Sequence, residues 1–189
     1  MRRPSRPTIA SKRRLMPEEA RNESSDETTT GSNTLDPDVQ REYRDRVIQL
    51  AFGGEPQRFE EFLRVLRDAT PAGVEVILRG SAVTGQKFKT GEPFDADGPG
   101  TSDLDVTFVG GDMVMLFREF HIPGIHSVTL SEQHPFASPP LAPLRQRLSE
   151  MTNRSVNLQA SISLVQHLRD VSMDQPYLLL LKQPKDEDD

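Results

Sequence analysis

Two short apolar runs, "GVEVILRG" (Gly73–Gly80) and "DLDVTFV" (Asp103–Val109), flank a stretch too rich in Gly, Pro and Asp for helix or strand. Both runs are β-branched and alternate, so Val74–Leu78 and Asp103–Val109 are expected as strands. The first ends in the turn Gly80-Ser81, and the second opens on two aspartates one residue apart, Asp103 and Asp105. Residues i and i+2 of a strand share a face. Leu104 and Val106 therefore go to a core, and both carboxylates to the opposite, open face of the same sheet.

Helical spacing surrounds this pair of strands. In "DPDVQREYRDRVIQLAF", Val39, Tyr43, Val47, Leu50 and Ala51 form one buried face, with Asp36 as cap, Pro37 in the first turn and Gly53-Gly54 as the stop. "EPQRFEEFLRVLRDAT" repeats the design with Phe59, Phe62, Leu63 and Leu66. Beyond Gly110-Gly111, "DMVMLFREF" predicts a helix with Met113, Leu116, Phe117 and Phe120 inward. "GIHSVTL" is a short strand candidate, and a helix opened by prolines is expected from about Leu141 to Met151. "SVNLQASISLV" is a third strong strand, with Val156, Leu158 and Ala160 facing one way, and "LVQHLRDV" has a helical pattern. Helices and strands mix without regular βαβ alternation, which predicts an α+β domain: a small mixed β-sheet flanked by helices.

Composition divides the chain into three parts. Residues 1–35 carry Arg, Pro, Ser, Thr and Glu with almost no periodic apolar positions, the signature of a disordered tail, basic first and then acidic. Residues 36–182 form the expected domain, and 183–189 an acidic stub. Of 23 basic and 29 acidic residues, seven and five lie in the tail, which leaves the rest at 16 against 24, a balance of −8. Such a body repels nucleic-acid phosphates. The tail is either a solvated arm or a targeting or nucleic-acid contact. The absence of cysteine excludes disulfides and zinc-thiolate sites. The longest apolar run, "YLLLLK", is far below the roughly 18 to 20 residues of a membrane span, and the N-terminus lacks the apolar segment of a secretory signal. An intracellular, cytoplasmic location is the expectation.

The turn and the acids suit a common chemistry. Backbone N–H groups after Gly80 can face an anion, and the Ser81 hydroxyl adds a donor. Two neighbouring carboxylates repel unless a cation lies between them, and hard oxygen ligands favour Mg²⁺ or Mn²⁺. An exposed edge bearing two solvated aspartates is the plain alternative. "RGSAVTG" followed by "SDLDV" resembles the nucleotidyltransferases of the DNA polymerase beta superfamily, over about Val74 to Val109. On that resemblance Gly80, Ser81 and Gly85 match the phosphate turn, while Ser102, Asp103 and Asp105 match the Ser-Asp-x-Asp element. It implies a nucleotidyltransferase-like fold, an NTP as substrate, and Mg²⁺ (or Mn²⁺) held by Asp103 and Asp105. It also implies transfer of a nucleoside monophosphate to a hydroxyl, for which the acidic body favours a small-molecule or protein acceptor over nucleic acid.

Two departures accompany the resemblance. The loop "KFKTGEPFDADGP" is long, and is either an ordered surface loop or a lid bringing Lys87 or Lys89 to phosphate; Asp95 and Asp97 are possible extra ligands. The family's third carboxylate is also missing: the site-facing positions of the third strand are Asn157, Gln159 and Ser161, none ionisable. Glu132 or Asp170 could replace it from elsewhere. Without a replacement, the alternative is a degenerate nucleotide-binding or interaction module. His121, His126, His134 and His167 lack the close pairing of a helical metal site and are expected to be ordinary surface or satisfied residues. Arg145, Arg147 and Arg154 are expected mainly as paired surface charges.

Overall fold

The computed structural model describes residues 36–170 and 175–184. The tail of residues 1–35 and most of the stub lie outside them. The elements run α1 (Pro37–Ala51), α2 (Pro56–Asp68), β1 (Glu75–Arg79), α3 (Ser81–Thr84), β2 (Leu104–Val109), α4 (Gly111–Val114), β3 (Phe120–Ile122), β4 (His126–Ser127), α5 (Ala142–Thr152), β5 (Val156–Ser161), α6 (Leu164–Asp170) and β6 (Tyr177–Lys182). The six strands form one sheet in the order β3-β4-β5-β2-β1-β6, in which only the β2–β5 pairing is parallel. The architecture is therefore α+β with a mixed sheet.

Alternation along the strands sorts the two faces. Leu78, Val106 and Leu158 stand side by side, as do Val76, Phe108 and Ala160, and all six are buried in one apolar cluster with residues of α1, α2 and α5. Within that cluster Phe59 and Phe62 each meet Phe52 edge-on, at 5.2 and 5.3 Å. Fully burying side chains of this size contributes roughly 1.5–3 kcal/mol each. The other face carries Ile77, Thr107 and Gln159 in one row, and Arg79, Asp105 and Asn157 in the next. Packing of α6 on β5 covers part of this face, and His167 of α6 lies 3.5 Å from Thr107 Oγ1.

Local chemistry accounts for the helix ends. The Asp36 carboxylate accepts from Asp38 N–H at 2.9 Å, Pro37 fills the first position of α1, and Gly54 N–H closes the far end onto Ile48 O. The helix expected across "DMVMLFREF" stops after four residues. Arg118 N–H bonds Ala137 O and the Ser138 hydroxyl donates to Leu116 O, so tertiary partners take the groups a longer helix would need. Phe120, expected on that helix, begins β3 instead. The run "YLLLLK" is β6, an edge strand. Gln183, expected in the solvated stub, donates to Arg67 O and Thr70 O and continues the packed body. No helix among the described residues is long and apolar enough to cross a membrane.

Candidate functional site

Asp103 immediately precedes β2 and Asp105 is its second residue. Asp105 is flanked in register by Arg79 of β1 and Asn157 of β5. The Asn157 amide spans the acids: its Nδ2 donates to Asp103 Oδ2 and to Asp105 Oδ1, both at 3.1 Å. One N–H for each carboxylate offsets part of their mutual repulsion.

The Gly80 turn arrives at the same place from the other side. Gly80 has φ +83°, and a Cβ there would lie 3.1 Å from Asp105 Oδ2. Glycine is thus required both for conformation and for room beside the carboxylate. Val83 and Thr84 N–H return to Gly80 O, and Gly85, at φ +80°, closes the turn onto Ser81 O at 2.8 Å. Arg46 of α1 clamps the turn by donating to Val83 O at 2.7 Å. The half-exposed Ser81 hydroxyl has no hydrogen-bond partner among the described residues. Ser102 is buried and serves the long loop, since its Oγ accepts from Asp95 N–H and its N–H donates to Asp95 Oδ1.

That loop is tied down at both ends of its sequence. Asp95 takes both Nη groups of Arg154, at 3.0 and 3.1 Å, together with the N–H groups of Gly100 and Ser102. Phe94 lies under the same guanidinium, 4.7 Å from ring centroid to Cζ. Burial alone would raise the Asp95 pKa, but the Arg154 contact and the two backbone donors outweigh it and hold the group at about 2. Asp97 pairs with Lys87 at 2.6 Å, and Lys87 also reaches Glu92. Asp95, Asp97 and Lys87 are accordingly engaged within the loop, away from the role of ligands.

On its β5 side the acid pair opens into a cleft of about 410 Å³, whose walls include Asp103, Asp105, Asn157, Glu132, His121 and His134. Glu132 reaches it because Leu130 bridges antiparallel to Leu158, with N–H to O distances of 2.7 and 3.0 Å in the two directions. The chain then passes the start of β5. Although Asp103 is exposed to the cleft, loss of hydration raises its pKa; the Asn157 hydrogen bond opposes this, Asp105 and Glu132 add to it, and Arg145 opposes it. Glu132 is therefore electrostatically part of the acid group.

Of the three positions expected to face the site from β5, only Asn157 touches the acids. Gln159 is buried between Arg79 Nη2, at 3.2 Å, and Ser127 O, at 2.9 Å, and Ser161 donates to Ser163 O. His121 and His134 line the cleft, whereas His126 and His167 are buried and stack edge-on at 5.8 Å. The side chain of Asp170 lies outside the described residues. Among the described residues, no group of three or more His, Asp or Glu is placed to hold a metal. Asp103 and Asp105 offer carboxylate oxygens, a donor type that would suit Mg²⁺ or Mn²⁺, while Asn157 turns its amide nitrogen rather than its oxygen toward them. Comparison of the chain with family models, with curated proteins and with solved structures finds no match in any of the three.

Proposed function

We propose that the protein is a metal-dependent nucleotidyltransferase that moves a nucleoside monophosphate from an NTP to a hydroxyl acceptor. The observation that supports this best is the meeting of the Gly80 turn with Asp105, where any side chain at position 80 would crowd the carboxylate. Phosphate oxygens approaching the turn would lie beside the acids.

In this reading Asp103 and Asp105 hold Mg²⁺ or Mn²⁺, and the Asn157 amide, whose Nδ2 faces both acids, would turn over to offer its oxygen. The bound ion would spread the charge that develops on the reacting phosphate. Gly80, Ser81 and Gly85 shape the phosphate turn, and the free Ser81 hydroxyl donates to a phosphate oxygen. Ser102 holds the preceding loop through Asp95 and so sets where Asp103 begins. The cleft beyond Asn157 receives the acceptor, and the acidic body favours a small molecule or protein over nucleic acid.

Asn157 also favours a second reading. It stands in register with Asp105, where a carboxylate would complete a ligand trio, and an amide cannot act as a general base. A nucleotide-binding module without turnover would share the turn and the acid pair. Incubation with α-labelled NTP, Mg²⁺ and cell extract separates the two. Label transfer by the natural protein but not by Asp103→Asn supports the transferase; equal labelling by both rejects a metal role for Asp103. Absence of labelling together with a nucleotide-dependent rise in melting temperature selects the binding module.

A further inference from the structure

A second trough, about 580 Å³, continues from the cleft along α5 and shares Glu132 and Ser155 with it. Its charges are unevenly satisfied. Arg154 gives both Nη groups to Asp95 and Nη1 also to Ser102 O, and Glu150 accepts from Gln146 Nε2 at 2.9 Å. Arg145 and Glu132 are left to each other, and they meet only loosely, at 3.9 Å. The Arg145 side chain is 18% exposed, while that of Glu132 is 80% exposed. The carboxylate can thus leave at little cost, whereas the arginine cannot follow it into water. Arg145 Nη2 donates to Ser155 Oγ at 3.2 Å, and the same nitrogen makes the loose contact with Glu132. A planar guanidinium this poorly used favours a two-oxygen anion.

Glu132 has two suitors. It faces Arg145 on one side, and on the other it adds to the negative field at Asp103. One carboxylate cannot fully serve both. We propose that Arg145 is the anchor of an oxyanion subsite for the acceptor, and that Glu132 occupies it until a divalent cation at Asp103 and Asp105 draws that carboxylate away. The acceptor is then a small molecule bearing a carboxylate or phosphate as well as the hydroxyl that is modified. The cation half of this exchange and the identity of the bound anion as the acceptor rest on the function proposed above; anion binding at Arg145 does not.

Titration calorimetry with inorganic phosphate, and in parallel with succinate, tests both halves on the full chain. Without metal, Glu132→Gln should bind the anion about fivefold more tightly than the natural protein, the effect of removing one partly screened ion pair. Arg145→Gln added to Glu132→Gln should abolish the gain, while Arg145→Lys in its place should keep part of it. Mg²⁺ should bring the natural protein to the Glu132→Gln affinity and leave Glu132→Gln unchanged. A preference between phosphate and succinate identifies which oxyanion the acceptor carries. Equal affinity of Glu132→Gln and the natural protein, or a gain that survives loss of Arg145, overturns the subsite. If the Glu132→Gln gain appears but Mg²⁺ has no effect, the exchange is refuted and the subsite stands; titration of Mg²⁺ alone into the natural protein and Asp103→Asn then decides separately whether the acid pair binds the cation.

Discussion

Asn157 is where the chemistry of the acid pair is decided. Its Nδ2 supplies the donors that let Asp103 and Asp105 lie together on one sheet face. Asn157→Asp removes both donors and sets a third carboxylate in register with Asp105. Without divalent ions this variant should lose about 1–3 kcal/mol, through like-charge repulsion and the lost hydrogen bonds. Millimolar Mg²⁺ should recover most of that loss and raise the variant's melting temperature more than the natural protein's. A variant as stable as its parent, or indifferent to Mg²⁺, would remove the acid pair from consideration as a cation site. Gly80→Ala probes the other half of the convergence. Its Cβ would meet Asp105 Oδ2 at 3.1 Å on a backbone at φ +83°, so a destabilisation of about 1–3 kcal/mol is expected in urea unfolding. Gly91→Ala, also at positive φ but with open space around it, should cost less.

Strand β6 closes the sheet at its outer edge, and the chain protects that edge with one side chain. Gln40 of α1 donates through Nε2 to Tyr177 O at 2.8 Å and accepts from Leu179 N–H at 2.7 Å, the two bonds a further strand would make. An apolar edge left open invites pairing with another copy. Gln40→Ala should therefore lower stability by about 1–3 kcal/mol and increase self-association; an unchanged sedimentation profile at high concentration would argue against the edge-guarding role. Strands β2 and β5, which carry Asp105 and Asn157, were legible because polar residues alternate with apolar ones along them: Asp105 and Thr107 in one, Asn157 and Gln159 in the other. "YLLLLK" hid its strand because four consecutive leucines put apolar residues on both faces, which erases the alternation. The short α4 misled for a different reason: Met113 and Phe117 keep helical spacing and are buried, but the bonds that end the helix come from Ala137 and Ser138, about twenty residues away. Glu132 likewise owes its place to the Leu130–Leu158 bridge, and Arg145 to packing of α5 on β5, neither of which is written in local spacing.

Acid should undo this molecule through two groups, the buried His167 and the partly buried Asp95. His167 is buried beside Arg79 and His126, with Thr107 its nearest polar neighbour; burial first, then the charges of Arg79 and His126, lower its pKa from 6.5 to about 3. Above pH 6.5 it is neutral whether the chain is folded or not, and its contribution does not vary. Between pH 6.5 and about 3 the unfolded chain binds a proton that the folded one refuses, so stability falls, by at most about 1.4 kcal/mol per pH unit. Asp95 acts in the same direction over a lower window. Its Arg154-bound carboxylate stabilises the fold above pH 3.8, and that contribution is lost as pH falls towards about 2. Raised above its ordinary value, Asp103 works the opposite way, since its protonation removes a poorly hydrated charge, relieves repulsion in the cleft and partly offsets the loss. Urea unfolding at pH 7.5, 6 and 4.5 should show the decline beginning near pH 6.5, well above the carboxylate range, and His167→Gln should flatten that upper portion while leaving the loss below pH 4. A natural protein equally stable at pH 7.5 and 4.5 would mean that the His167 ring gains its proton inside the fold, and that the covered end of the sheet face is open to water as the acid end is.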